Sequence, residues 1–111
     1  MVKRGKRKIY HLCIEPEVHS AREELPGNIR HRIKRVLDGL CVDPRHSSSK
    51  ALDVVDLNVP LTIEIRSVRL EQWRVLYAVN DEEGWIWALG IYRRPPYQYE
   101  DLQELISRLP E

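Results

Sequence analysis

The sequence predicts an α+β domain in which helices and strands fall in separate runs along the chain. Apolar residues recur at helical spacing between residues 16 and 40, and they alternate with polar residues in three segments between residues 61 and 92. A run of helices followed by sequential antiparallel strands indicates helices packed on one face of a sheet. At 111 residues the chain can bury a substantial core, but it has little room for a second domain.

The first half of the chain predicts an N-terminal strand followed by an antiparallel helical hairpin. Residues 9–14 alternate as a strand does, and Glu15-Pro16 opens a helix, because proline is tolerated at the first helical position. Pro26-Gly27 ends this helix, Asn28 is the expected N-cap of the next one, and Asp43-Pro44 stops it. The short break between the helices predicts that they run antiparallel. The inward face of the second helix consists of Ile29, Ile33, Val36, Leu37 and Leu40.

The second half predicts a three-stranded antiparallel meander that completes a small sheet, and then a short C-terminal helix. The acidic turn at residues 81–84 joins the last two strands as a hairpin. Pro95-Pro96 makes the following segment extended, and residues 100–109 have the periodicity of an amphipathic helix. Residues 45–60 predict a serine-rich loop followed by a stretch that fits no regular element. The predicted strands are residues 61–67, 73–80 and 85–92.

Charge, hydropathy and cysteine content argue against a membrane-spanning or secreted protein. The formal net charge is +1, yet residues 1–8 alone carry five lysines and arginines, which predicts a flexible basic arm ahead of a single domain at 9–111. This arm could also contact nucleic acid or a partner. No apolar stretch reaches the roughly 18 residues of a membrane helix, and the N-terminus lacks the apolar core of a secretory signal. With Cys13 and Cys41 read as reduced thiols, we expect a cytoplasmic protein that does not bind membranes.

Several kinds of active site are not indicated by the sequence. It contains no glycine-rich phosphate loop and no glycine-flanked serine nucleophile. His19, His31, Cys41 and His46 lack the close spacing of metal ligands, and they are better explained as surface or helix-face residues. We therefore expect neither a metal ion nor a small-molecule cofactor.

The candidate functional residues are basic and aromatic side chains near the last strands. Arg74 stands among apolar and aromatic neighbours, so it must either pair with a carboxylate such as Glu64 or face a groove for an anionic ligand. Aromatic rings interleaved with arginines suit the bases and phosphates of RNA, although they could equally cap a hydrophobic seam. This group comprises Arg66, Arg69, Arg74, Arg93 and Arg94, with Tyr92, Tyr97 and Tyr99.

Several short motifs together resemble the RelE/ParE family of bacterial toxins. Trp73-Arg74-Val75-Leu76-Tyr77 matches a strand with an arginine, two apolar residues and a tyrosine. The family also has a strand that ends in glycine, here Gly90, and then an arginine and a downstream tyrosine. Glu64-Ile65-Arg66 and the helix stop at Asp43-Pro44 fit as well, and the order of elements agrees through nearly the whole chain.

The resemblance implies a small cytoplasmic toxin of a type II toxin–antitoxin system, neutralised by a cognate antitoxin that covers the basic groove or displaces the C-terminal helix. The RelE branch cleaves mRNA in the ribosomal A site without a metal ion, and the ParE branch instead inhibits DNA gyrase. In the cleaving branch the RNA 2′-hydroxyl attacks the adjacent phosphate, which needs cations, a base and an acid. A member that only binds its antitoxin is a third possibility.

Residue by residue, the resemblance assigns catalytic roles to Arg74 at the scissile phosphate, to Arg93 and to Glu64 as general base. It assigns base stacking to Tyr99, with Tyr97 as the alternative tyrosine. These arginines and a tyrosine are expected to share one hollow. Cleaving members carry lysines on the preceding strand, and residues 62–66 contain none, which keeps gyrase inhibition open. The implied partners are antitoxin, ribosome and mRNA. Further RNA contacts are expected from Lys50, Arg66, Arg69, Arg94 and Tyr97.

Overall fold

A five-stranded mixed sheet carries helices on both of its faces in this computed structural model, which describes residues 9–93 and 102–110. The strand order is β1-β5-β4-β3-β2, with β1 parallel to β5 and every other neighbour antiparallel. The predicted α+β fold is confirmed, and the predicted elements occur in the expected order, with the short strand β2 as an addition inside the predicted loop. The elements are β1 (His11–Ile14), α1 (Pro16–Glu23), α2 (Gly27–Leu40), β2 (Ser49–Ala51), β3 (Ile63–Leu70), β4 (Trp73–Asn80), β5 (Trp85–Arg93) and α3 (Leu102–Ser107).

A proline marks the start of each of the two consecutive helices, as the first residue of α1 and as the residue before α2. Pro16 occupies the start of α1, as predicted. The extended residue before α2 is Pro26, whose carbonyl accepts a hydrogen bond from the Arg30 N–H at 2.9 Å, so the expected N-cap Asn28 is wrong and already lies inside the helix. The proline ring restricts the backbone φ angle at the residue before α2, and no side chain caps the helix there.

The sheet is buried on both sides, which corrects the expectation of helices on one face only. Val75, Tyr77 and Val79 of β4 pack with α1 and α2, on what we call the α1/α2 face. Leu76 and Ala78 pack with α3 on the opposite side, the α3 face. The reason is that successive side chains of β4 are apolar on both sides, and each side must be covered.

The α3 face is closed by α3 and by the stretch at residues 52–59 that fits no regular element. Four apolar side chains of this stretch are half-buried against the same cluster as α3. The Gln103 side chain accepts a hydrogen bond from the Asn58 N–H at 2.8 Å and donates one to its carbonyl at 3.2 Å. Glu15, which is buried, accepts hydrogen bonds from Trp87 Nε1 at 2.7 Å and from Arg108 at 3.4 Å. These contacts hold α3 against the sheet.

A β-bulge in β5 exchanges the faces to which its side chains point. Leu76 pairs with Gly90, whereas Tyr77 pairs with Ala88, so Leu89 is an extra residue in β5. Before the bulge odd-numbered residues such as Trp87 face α3, and after it Tyr92 does. Arg93 therefore lies on the α1/α2 face, opposite Trp73 in the register.

Two regions with predictions lie outside the described residues. They are residues 1–8, with the expected basic arm, and residues 94–101, with Arg94, Tyr97 and Tyr99. Among the helices that the structure does describe, none combines the length and the apolar character that crossing a bilayer requires.

Candidate functional site

Three of the predicted site residues meet on the α3 face of the sheet. The register places Lys50 of β2 opposite Ser67 of β3, and Arg69 of β3 opposite Arg74 of β4. Together with residues 47–49 they line an open cavity of about 300 Å³, which we call the basic pocket. The pairing of the short edge strand β2 with β3 thus brings residues that are distant in the sequence to one place.

The basic pocket concentrates positive charge. Arg69 and Arg74 are directly opposed on neighbouring strands, an arrangement that destabilises a sheet when the two charges are alike. Lys50 adds a third cation, and none of the described residues that line the pocket is a carboxylate. An anion placed between these side chains would relieve their repulsion, and two arginines offer the donor geometry that a phosphate accepts best.

The serine-rich loop beside the pocket is ordered by its own hydrogen bonds. His46 accepts hydrogen bonds at Nδ1 from the Ser48 N–H at 3.0 Å and at its carbonyl from the Ser49 hydroxyl at 2.8 Å. The Arg69 N–H donates to the Ser48 carbonyl at 3.4 Å, which attaches the loop to β3. The sequence predicts this loop but assigns it no role, since a run of serines has no periodicity that would place it at a site.

Glu64 and Arg66 lie on the other side of the sheet, away from Arg74. Their register partners, Val79 and Tyr77, both belong to the α1/α2 face. Glu64 forms ion pairs with Arg66 at 2.9 Å and with Arg45 at 2.8 Å. The suggested alternative that Glu64 pairs with Arg74 is therefore wrong.

Arg45 extends this group into a cluster at the rim of the α1/α2 face. Its guanidinium also contacts Asp81 at 2.8 Å, and Asp81 accepts a hydrogen bond from the Tyr10 hydroxyl at 2.5 Å. The hydrogen bond to Asp81 raises the pKa of Arg45, and the nearby Glu64 adds to this shift. The cluster connects β3, the β4–β5 turn and the start of β1, and its role in the structure is to hold these segments together.

Arg93 does not reach the basic pocket. Its guanidinium carbon lies 6.0 Å from the ring centroid of Trp73, and its Nε and Nη2 donate to Gln72 Oε1 at 3.3 and 3.1 Å. The expectation that Arg74 and Arg93 share one hollow is corrected here, because the bulge at Leu89 turns Arg93 to the opposite face. Tyr92 takes the position facing Arg74 in the register instead.

The remaining predicted residues can be placed only in part. Arg94, Tyr97 and Tyr99 fall outside the described residues, so their roles stay predictions. Within residues 9–93 and 102–110, histidine, cysteine, aspartate and glutamate form no group of three or more that could hold a metal ion.

Comparisons with known proteins identify the fold. No protein-family model matches the chain, and no curated protein matches it in sequence. The RelE–RelB complex from Pyrococcus horikoshii contains a chain with 24% identity and a TM-score of 0.68, over 80% of this chain and 99% of that one. A mutant of the E. coli toxin RelE in the free state gives 18% identity and a TM-score of 0.64, over 92% and 99% of the two chains. A chain of the toxin–antitoxin complex RelBE2 from Mycobacterium tuberculosis has 22% identity and a TM-score of 0.61, over 80% of this chain and 95% of that one. The chain therefore has the α+β fold of the RelE toxins.

Proposed function

We propose that this protein is the toxin of a type II toxin–antitoxin system and acts as a metal-independent, ribosome-associated mRNA endonuclease in the cytoplasm. The observation that carries the proposal is the basic pocket, in which Lys50, Arg69 and Arg74 converge on a sheet with the RelE fold. Three cations in one pocket suit the phosphodiester of an RNA strand better than a neutral or cationic ligand.

In this proposal the pocket stabilises the charge that develops during cleavage. When the RNA 2′-hydroxyl attacks the adjacent phosphorus, the bond to the 5′-oxygen breaks, and a cyclic phosphate and a 5′-hydroxyl result. The extra negative charge on the phosphorane is stabilised by cations already in position, here Arg74 with Arg69 and Lys50. Proton transfer needs further groups, because the described residues that line the pocket include no imidazole and no carboxylate. The roles suggested for Tyr99, Arg93 and Glu64 remain predictions.

A cognate antitoxin is the second part of the proposal. Several solved structures that share this fold are complexes of RelE with RelB, including the archaeal and mycobacterial pairs. One E. coli structure holds RelE together with a peptide of its antitoxin. These complexes support an antitoxin partner for this chain, and the ribosome and mRNA are the further partners that the endonuclease proposal requires.

One observation favours a second candidate, the inhibition of DNA gyrase without RNA cleavage. Strand β3 presents glutamate and arginines where the cleaving relatives are expected to carry lysines, and its Glu64 points away from the pocket. A phosphate-binding surface without acid–base groups could bind nucleic acid or a protein without cleaving either.

The test is inducible expression of the intact chain and of Arg74→Ala in a bacterial host, with growth and the 5′-hydroxyl ends of mRNA as the readouts. We expect growth arrest and new ends from the unchanged protein. Loss of one cation that contacts the phosphate in the transition state should reduce cleavage by about 10²–10³-fold. Lys34→Ala, an exposed cation outside the pocket, is the matched control and should remain toxic.

Two results would count against the endonuclease. Intact mRNA together with DNA-damage signalling would indicate gyrase inhibition. An unchanged protein that neither slows growth nor cuts ribosome-bound mRNA would leave antitoxin binding as its only activity. Thermal unfolding of both variants shows whether any loss of toxicity comes from the pocket or from the fold.

A further inference from the structure

Ser48 stands in line with the two arginines of the basic pocket. Lys50 pairs with Ser67 in the β2–β3 register, and this register, continued by two residues, places Ser48 opposite Arg69. The hydrogen bond of 3.4 Å from the Arg69 N–H to the Ser48 carbonyl is the one that an antiparallel ladder requires at this step. Arg69 in turn pairs with Arg74 of β4. Directly opposed residues point to the same face of a sheet, so Ser48, Arg69 and Arg74 form one row that lines the pocket.

The hydroxyl of Ser48 is available for reaction. Ser48 is exposed, and its hydroxyl forms no hydrogen bond within the part of the chain that the structure describes. Its backbone, in contrast, is fixed by the hydrogen bonds to His46 Nδ1 and to Arg69. The neighbouring Ser49 differs, because its hydroxyl donates to the His46 carbonyl at 2.8 Å and accepts from Arg66 Nη2 at 2.9 Å. Ser48 therefore presents a free hydroxyl from an ordered backbone beside the arginines.

A phosphate ester on Ser48 would fit this row. Such an ester carries a charge of about −1.5 to −2 at neutral pH and three acceptor oxygens. It would lie next to Arg69 and Arg74, whose like charges oppose each other and whose guanidinium groups suit a phosphate. Lys50, two residues further along, points to the same face and adds a third cation. We propose that Ser48 is a phosphorylation site and that Arg69 and Arg74 hold its phosphate, which closes the basic pocket.

The phosphoryl donor is a nucleoside triphosphate bound to a serine/threonine protein kinase. The Ser48 Oγ attacks the γ-phosphorus, the bond from this phosphorus to the β,γ-bridging oxygen breaks, and the nucleoside diphosphate leaves. The hydroxyl proton passes to the catalytic base of the kinase. Residues 45–48 are all exposed, and Arg45 and Lys50 flank the acceptor with positive charge, which suits a kinase whose peptide groove is acidic. A phosphatase reverses the modification by hydrolysis of the ester.

The phosphate on Ser48 competes with RNA for the same cations. Because it is attached to the loop that lines the pocket, its effective concentration there is on the order of millimolar or higher. The inference deepens the proposed function and rests on it in one respect, since a loss of RNA binding requires that the pocket binds RNA. The modification itself, and the contact of its phosphate with the arginines, do not depend on RNA cleavage.

The first measurement determines whether the folded chain accepts the phosphate. The full chain is incubated with Mg²⁺-ATP and a serine/threonine kinase that prefers basic substrates, and the phosphopeptides are mapped by mass spectrometry. We expect a phosphate on Ser48. Ser48→Ala should remove it, whereas Ser47→Ala, the matched control one residue away in the same loop, should retain it.

The second measurement determines whether the arginines hold the phosphate. Phosphoserine is incorporated in place of Ser48 with a suppressor tRNA, and its titration is followed by ³¹P NMR. The second pKa of the ester should fall from about 6 to about 5.5 or lower, because neighbouring cations favour its doubly charged form. Arg69→Ala should return this pKa toward its ordinary value.

The third measurement is the affinity for a labelled single-stranded RNA, determined by fluorescence anisotropy. We expect phosphoserine in place of Ser48 to weaken this affinity by about tenfold or more, because the cations of the pocket are already satisfied. The matched control carries phosphoserine in place of Ser107, an exposed serine of α3 that does not line the pocket, and its affinity should stay within about threefold. Circular dichroism of each protein confirms that the helix content is unchanged.

The proposal is overturned if Ser48 of the folded chain remains without phosphate, or if the ester on Ser48 titrates as a free phosphoserine does and ignores Arg69→Ala. It is also overturned if phosphoserine in place of Ser107 weakens RNA binding as much as phosphoserine in place of Ser48 does. An unmodified chain that does not bind the RNA at all would count against the proposed endonuclease. In that case the mass spectrum and the ³¹P titration still decide whether Ser48 is a phosphorylation site whose phosphate the arginines hold.

Discussion

Tyr77 connects two of the motifs that carry the family resemblance. Its side chain is completely buried in β4, and its hydroxyl donates a hydrogen bond of 2.5 Å to the carbonyl of Pro44, just beyond α2. Burial raises the pKa of Tyr77, and the nearby Ser49 and Arg66 act in the opposite direction. The tyrosine of the arginine–tyrosine strand is therefore a structural residue that fixes the end of the helical hairpin to the sheet.

Tyr77→Phe should lower the free energy of unfolding by about 1–3 kcal/mol, because the Pro44 carbonyl loses its buried partner. The pH dependence should change as well. The pKa of Tyr77 in the folded protein lies above its ordinary value of 10.0, so its stabilising contribution is present below that pH and is lost as the pH rises through the folded value. Urea denaturation at neutral pH and above pH 10 should show a smaller alkaline loss in the variant.

The control for this prediction is Tyr10→Phe, which removes the less buried hydroxyl that contacts Asp81. We expect it to affect stability at neutral pH less than Tyr77→Phe does. Equal stability of Tyr77→Phe and the unchanged protein would show that the hydrogen bond to Pro44 contributes nothing.

Among the elements, α2 contributes most to the core of the α1/α2 face, yet besides its first residue, Gly27, it contains a second glycine, Gly39. Ile29, Ile33, Leu37 and Leu40 are buried along one side of it. Gly39 lies next to the last of these, with open space where a side chain would be. The element is thus less stable than its amphipathic pattern would allow.

Gly39→Ala should raise the free energy of unfolding by about 0.5–1 kcal/mol, since alanine loses less conformational entropy on entering a helix. Gly27→Ala is the matched control. It stands at the first residue of α2, where helix propensity counts less, and its Cβ would meet only the Arg30 side chain at 3.8 Å. Thermal unfolding that shows no gain for Gly39→Ala would mean that the space beside Gly39 is closed by another side chain in solution.

The sequence predicts the elements better than it predicts which face each side chain takes. Helical periodicity and strand alternation are local, so α2 and the meander could be found from spacing alone. The bulge is different, since neither Leu89 nor Gly90 signals that two residues will oppose Leu76. Arg93 was therefore expected beside Arg74. The opposition of Arg69 and Arg74, in contrast, follows from a two-residue turn at residues 71–72 and could have been read from the sequence.

For the whole molecule, the central feature is a sheet that separates two apolar clusters, each with its own cover. On the α3 face the covering helix is short, since α3 has six residues. It buries Leu102, Leu105 and Ile106, and Leu109 is buried just beyond it. Hydrogen bonds hold α3 in place. On one side Glu15 accepts hydrogen bonds from Trp87 and Arg108, and on the other Gln103 accepts one from the Asn58 N–H. One face of the sheet is thus protected from water by this small element together with the stretch at residues 52–59.

Ending the chain at residue 101 should lower the free energy of unfolding by several kcal/mol, because the apolar side chains of β3 and β4 on the α3 face lose their cover. We expect urea denaturation at lower concentration and binding of an apolar fluorescent dye. Arg108→Ala is the control, since it removes the ion pairs with Glu15, Glu17 and Glu104 but keeps the four apolar contacts, and its effect should be smaller. A truncated chain as stable as the full one would show that α3 does not cover the sheet in solution.

Arg69 stands where β3 extends past the edge strand, and Arg74 lies opposite it in the register. The repulsion between the two side chains exists only in the folded chain, because only the folded sheet brings them together. A phosphate held between them binds only the folded chain, so added phosphate should raise the unfolding temperature of the protein by mass action.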